Sequence, residues 1–226
     1  PIYISNKDEV TALKKAKFRK SKILNISGYS RYIKTSQMSK KIKKEVSRVK
    51  KSNLLITENL PFKKKDIDQI IFLHNEMAKI KSLKFDKWMT KSSLEKLINN
   101  FKEKINVVKA YKGNMLIGYS LWLDTNNSSI YFRGATNKYC GSIGVGYILI
   151  QNKIEKFFNN VNHKDKFIDL GGIGKIKSTE GVDRFKERFN SNEIQYIGAF
   201  EYTYSSFGKF ILSLFLVLRF IKKIIL

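Results

Sequence analysis

Hydrophobic positions along the chain recur with helical or strand periods, and these periods order it into elements. Met38, Ile42, Val46 and Val49 return every three or four residues among Lys40, Lys41, Lys43, Lys44, Arg48, Lys50 and Lys51, which predicts a basic amphipathic helix. Its thin apolar stripe either packs on the domain behind it or leaves a face specialised for phosphate, and the two are compatible. Ile67, Ile70, Ile71, His74 and Met77 form a second helical stripe, and Thr90 reads as the N-cap of a helix through Leu94, Leu97 and Phe101. On this reading two helices precede the first strands.

Ile105 to Tyr111 is rich in strand formers, Lys112-Gly113-Asn114 reads as a tight turn, and Met115 to Leu123 returns as a strand. Asp124 to Ser128 turns the chain again into a third strand, Ser129 to Thr136. A glycine-rich turn, Gly141 to Gly146, then opens a helix carrying Ile148, Ile150, Ile154, Phe157 and Phe158. Lys166 to Leu170 reads as a buried strand ended by Gly171-Gly172, Gly181 to Asn190 as a short basic helix, and Glu193 to Tyr204 as the last strand. The order α-α-β-β-β-α-β-α-β predicts a single α/β (α+β) domain. Its mixed, mostly antiparallel sheet is flanked by helices, and a central helix crosses between neighbouring strands.

The expected organisation has three parts: a basic N-terminal arm over 1–52, a core over 53–205 and a C-terminal helix over 206–226. In the last part, Phe210 to Leu218 gives nine uncharged residues, about 14 Å of helix against a bilayer core of about 30 Å, too short to span. Lys209, Arg219, Lys222 and Lys223 flank Phe207, Ile211, Leu214, Leu218, Ile221 and Ile225, the pattern of a helix lying in the headgroup layer of an anionic membrane. The competing reading is a helix that covers an apolar face of its own domain or of a second copy.

Charge sharpens the choice of partner. The 226 residues hold 44 Lys and Arg against 19 Asp and Glu, a net charge of +25, which points to a polyanion such as a membrane surface, a nucleic acid or a phosphorylated ligand. A lone Cys140 excludes a disulfide framework, and with only His74 and His163 beside it a Cys/His zinc site is out of reach, so metal-free chemistry is expected. The start lacks the apolar stretch of a cleaved signal. The expected location is cytoplasmic, peripheral at the inner face of the cell membrane.

A glycine turn opening a helix offers unpaired N–H groups and the positive end of the helix dipole to a phosphate, although glycine there equally permits tight packing. Gly144-Val145-Gly146 followed by Leu149 resembles the end of the acyl-CoA pyrophosphate motif of the GNAT acyltransferase superfamily, with Gly141 where that motif begins with Gln or Arg. Phe167-Ile168-Asp169-Leu170-Gly171-Gly172-Ile173, followed by Gly181 to Phe189 with Phe185-Lys186, resembles the signature of FemAB-type transferases, GNAT-fold enzymes of cell-envelope assembly. Ser39 to Glu45 is similar to the basic helix preceding their core.

The resemblance, over about residues 36 to 204, implies an acyltransferase. Acetyl-CoA or another acyl-CoA would be held at Gly141, Ile143, Gly144, Val145 and Gly146. Phe185 and Lys186 would lie beside the transferred group, with Lys186 binding phosphate or stabilising the developing oxyanion. The implied acceptor is an amine or hydroxyl of an envelope precursor, an amino sugar or peptide. An alternative donor is aminoacyl-tRNA, whose users in the family carry two such units and continue F-G-G, where this chain reads Phe189-Asn190-Ser191. A third reading is a non-enzymatic module that binds membrane or nucleic acid. Asp124, Tyr131, Asp169, Glu201 and Tyr202 are possible acids or bases. Asp169 reads rather as a cap on the Gly171-Gly172 turn, and His74 as a satisfied core histidine.

Overall fold

A computed structural model describes residues 7–20, 28–59, 64–80, 89–137, 144–159, 166–174, 180–196 and 200–202. The chain divides into a larger unit, residues 31–171 with 181–192, and a smaller one, residues 1–30, 172–180 and 193–226. In chain order the elements are α1 (Lys7–Lys15), β1 (Arg19–Lys20), β2 (Tyr29–Ile33), α2 (Lys40–Lys50), β3 (Leu55–Asn59), α3 (Lys64–Ile80), α4 (Lys91–Phe101), β4 (Ile105–Lys112), β5 (Met115–Asp124) and β6 (Ser128–Thr136). They continue with α5 (Val145–Asn159), β7 (Phe167–Gly172), α6 (Glu180–Glu187), β8 (Asn192–Gln195) and β9 (Phe200–Glu201).

The main sheet has seven strands in the order β3-β4-β5-β6-β7-β2-β8. β3, β4, β5 and β6 form an antiparallel meander, and β6 then pairs parallel with β7 over three positions, Ser128 with Phe167 through Ile130 with Asp169. A parallel neighbour requires a crossover, and α5 supplies it. The mixed sheet with flanking helices is the architecture that the sequence predicts.

Two corrections concern strands. β2 and β3 precede α3 and α4, so helices do not lead the strands, and both β2 and α2 lie within the first 52 residues. The expected last strand, Glu193 to Tyr204, is two short ones. β8 closes one end of the main sheet, whereas β9 pairs antiparallel with β1, Arg19 opposite Glu201. In the smaller unit, the Phe18 and Tyr202 rings pack 5.3 Å apart beside that ladder.

Apolar clusters cover both faces of the sheet. Ile42, Val46 and Val49 of α2 and Val145 to Ile154 of α5 pack on Val108, Ala110 and Trp122, while Ile70, Leu73 and Leu94 of α3 and α4 pack on Val107, Tyr119 and Leu121. β4 is therefore covered on both sides, and its first six residues are all buried. Lys109 in that strand is 1% exposed, and its ammonium lies 2.8 Å from the equally buried Asp66 carboxylate. His74 is buried with Nδ1 3.1 Å from the Tyr119 hydroxyl.

Candidate active site

The site lies in the larger unit at the carboxyl end of β7, where the β6–β7 ladder has ended, a place at which α/β sheets leave room for ligands. β7 runs on through Gly171 and Gly172, which the sequence reads as its end; Asp169, the last residue paired with β6, accepts the Gly171 N–H at 2.7 Å. Gly171 takes φ +80°, a conformation that glycine adopts without strain. Its carbonyl accepts a 3.1 Å hydrogen bond from Lys186 Nζ.

Lys186 stands on α6 and is 6% exposed. Burial lowers its pKa from the ordinary lysine range, Asp183 and Asp169 oppose that shift, and Arg31 adds to it. The lysine is held from behind, since Ser191 Oγ donates to its own carbonyl at 2.7 Å. Arg31 donates to the Ser191 carbonyl at 3.1 Å and lies 3.8 Å from Glu187. Sequence reasoning missed Arg31, because 155 residues separate it from Lys186 and no local pattern marks it.

Phe185 points to the first turn of α5. A Cβ on Gly146 would lie 3.4 Å from its ring, at ordinary van der Waals distance. Tyr147 and Phe189 complete an aromatic group, with ring centroids 4.9 Å and 5.3 Å from that of Phe185. Arg188 donates to the Tyr147 hydroxyl and lies over its ring. α6 is tied in turn to α2: Ser39 Oγ accepts from Ile42 N–H as the N-cap of α2 and donates to the Arg188 carbonyl at 2.7 Å.

The structure places the Phe185 ring against Gly146, next to Gly144 and Val145 in the chain, and the Lys186 ammonium at the Gly171 carbonyl. Gly141 and Ile143 lie outside the described residues, as do Cys140, His163 and the apolar tail. Val145 is fully buried in the core beneath the turn. The side-chain space at Gly144 is already lined, by Glu45 Oε2 at 3.1 Å, the Tyr147 ring at 3.3 Å and Arg48 at 3.4 Å from a modest Cβ, and Glu45 pairs with Arg48. The charged groups at this turn are the Glu45 carboxylate and the Arg48 guanidinium.

The other acid and base candidates separate. Asp124 accepts from Ser129 and pairs with Lys153 at 2.6 Å, fastening α5 to the sheet. Tyr131 packs edge-on against Trp122, and burial raises its hydroxyl pKa to about 12. Glu201 and Tyr202 belong to the β1–β9 part of the smaller unit. Of these candidates Asp169 alone acts on Lys186, while its carboxylate accepts the Gly171 N–H within the strand. Among the described residues no group of three His, Cys, Asp or Glu side chains is placed to hold a metal, and no helix is long and apolar enough to cross a membrane.

No family model matches the chain, and no curated protein matches it. Solved structures do. FemX superposes with a TM-score of 0.73 at 10% identity, covering 88% of this chain and 69% of FemX. The C-terminal domain of a protein described as a lysylphosphatidylglycerol synthetase from Agrobacterium fabrum gives 0.58 at 10% identity, covering 82% of this chain and 62% of that one. L-PGS from Bacillus licheniformis gives 0.56, also at 10% identity, with 83% and 63% covered. The chain spans less than two thirds of the latter two. The fold is therefore that of FemX, a mixed sheet flanked by helices.

Proposed function

We propose that the larger unit transfers an acyl or aminoacyl group to an amine or hydroxyl of a cell-envelope precursor, and that the reaction centre lies at Lys186. The observation that carries this reading is a buried ammonium fixed at the carboxyl end of β7, while the neighbouring Phe185 ring lies against the first turn of α5, on a fold shared with FemX. Transfer needs a neutral nucleophile and a polarised carbonyl. As the nucleophile attacks, charge grows on the carbonyl oxygen. An ammonium already anchored by the Gly171 carbonyl needs little reorganisation to stabilise it. Burial that lowers the lysine pKa also suits Lys186 to pass a proton to the departing group. The Phe185, Tyr147 and Phe189 rings supply an apolar wall that limits water near the acyl group.

Acyl-CoA is the donor favoured by the glycine turn, with Arg48 and Arg188 as phosphate partners. Aminoacyl-tRNA is the second reading, favoured by the exposed lysines 40, 41, 43, 44, 50 and 51 around α2. Calorimetry with acetyl-CoA and a gel-shift titration with total tRNA separate them. Millimolar or tighter acetyl-CoA binding supports the first. Strong tRNA binding that falls steeply with salt supports the second. Binding of neither removes the proposal. The acceptor's location implies work at the cytoplasmic face of the membrane.

A further inference from the structure

Arg31 stands on β2, between β7 and β8 in the main sheet, and its side chain is 15% exposed. A guanidinium taken this far out of water typically meets a carboxylate with two parallel hydrogen bonds. Arg31 does not. Its Nη1 donates to the Ser191 carbonyl at 3.1 Å, and the carboxylate paired with it among the described residues, that of Glu187, lies 3.8 Å from Nη2 and is 63% exposed. Nε is sealed from solvent and has no acceptor among the described residues. Among these residues the charge of Arg31 is therefore only weakly compensated, an arrangement that costs stability.

The charge is linked to Lys186 through one turn of backbone. Arg31 holds the Ser191 carbonyl, Ser191 Oγ donates to the Lys186 carbonyl at 2.7 Å, and the Phe189 N–H reaches that same carbonyl at 3.3 Å. Glu187, the exposed partner of the guanidinium, directly follows Lys186 in α6. The far end of the lysine is committed to the Gly171 carbonyl.

We propose that Arg31 is a positioning residue for the transfer centre: through Ser191 it fixes the backbone that carries Lys186, and its weakly compensated charge acts on the Lys186 ammonium. The inference rests on the reading of Lys186 as that centre. Burial is the main cause of the lowered lysine pKa; Asp183 on α6 and Asp169 on β7 oppose it, and Arg31 adds to it as a like charge. An ammonium disfavoured in this way gives its proton more readily to a departing group. Holding the turn requires only the donors of the guanidinium, whereas acting on the ammonium requires its charge, and substitution separates the two.

Carbon NMR of the chain with lysine labelled at Cε, the Lys186 signal assigned by its loss in Lys186→Met, follows the titration of Lys186 without any transfer. In Arg31→Gln, whose amide can still donate to the Ser191 carbonyl, Lys186 is expected to titrate at higher pH than in the wild type. In Arg31→Lys, which keeps the charge, it is expected to stay near the wild-type position. Transfer of a labelled group from acetyl-CoA or aminoacyl-tRNA should fall about ten- to a hundredfold in Arg31→Gln, with its alkaline limb moved to higher pH, and Arg31→Lys should restore most of it. If Arg31→Gln does not fold, Arg31→Met is measured in its place. An unmoved titration in the charge-free variant, or an equal displacement in the charge-free and charge-keeping variants, would overturn the proposal and leave Lys186 as the transfer centre. Full transfer by Lys186→Met would instead remove the centre itself, and this role of Arg31 with it.

Discussion

Replacing Lys186 with methionine keeps an unbranched apolar stem, one heavy atom shorter, and removes the ammonium. In the structure this deletes a hydrogen bond from a cation to the Gly171 carbonyl, a loss of about 1.5–3 kcal/mol. It also removes an ammonium whose charged form burial disfavours, and relief of such a buried charge is worth a similar amount. The two nearly cancel, so Lys186→Met is expected to stay within about 1 kcal/mol of the wild type at neutral pH. Transfer should fall about 10²- to 10³-fold, the usual effect of losing one preorganised donor to a developing oxyanion. The pH dependence provides a second signature. Because the folded state lowers the lysine pKa, the unfolded chain binds more protons between that lowered value and the ordinary value of about 10.4. Wild-type stability should therefore gain on that of Lys186→Met as pH rises through this window. Urea unfolding of both proteins at neutral and alkaline pH, with transfer of a labelled group from acetyl-CoA or aminoacyl-tRNA, measures all three. Full activity in the variant, or destabilisation of more than about 3 kcal/mol, would show Lys186 to be a structural anchor.

Asp66→Ala removes the buried carboxylate that pairs with the Lys109 ammonium and should cost about 3–5 kcal/mol in a denaturant titration. Glu45→Gln removes the carboxylate beside Gly144 and should tighten binding of a phosphate-bearing donor by about 1 kcal/mol, roughly fivefold, in calorimetry. Burial alone raises the Glu58 pKa, but hydrogen bonding to Lys156 and the charges of Lys153 and Lys156 outweigh it and hold the group below its usual range. The stability carried by ionised Glu58 is present above that range and lost as pH falls through the lowered value, so acid unfolding should separate wild type from Glu58→Gln.

Elements with strong local period were legible in the chain. The α2 stripe is an example: Ile42, Val46 and Val49 are all buried, while the lysines between them face solvent. The β4–β5–β6 meander was legible because its turns, Lys112-Gly113-Asn114 and Asp124 to Ser128, carry their own chemistry. β3 escaped detection as an edge strand whose Leu55 is 60% exposed, so its apolar residues show no clean alternation. Lys109 reads as a surface charge, and only the pairing of β4 with α3 brings Asp66 to it across 43 residues. At the candidate site, Phe185 and Lys186 were marked by motif alone. Arg31, Ser191 and the Ser39 link from α2 to α6 depend on contacts across 149 to 160 residues, which no local pattern encodes.

The most direct test of the transfer centre is a crystal structure of the chain with a non-reactive donor analogue, either an acyl-CoA with methylene in place of the thioester sulfur or an adenosine carrying the aminoacyl group through an amide. The expected result places the carbonyl that would be transferred within hydrogen-bond reach of Lys186 Nζ, with Phe185 against the acyl group. Donor bound elsewhere on the larger unit, with Lys186 still donating to Gly171 and nothing within its reach, would contradict the account.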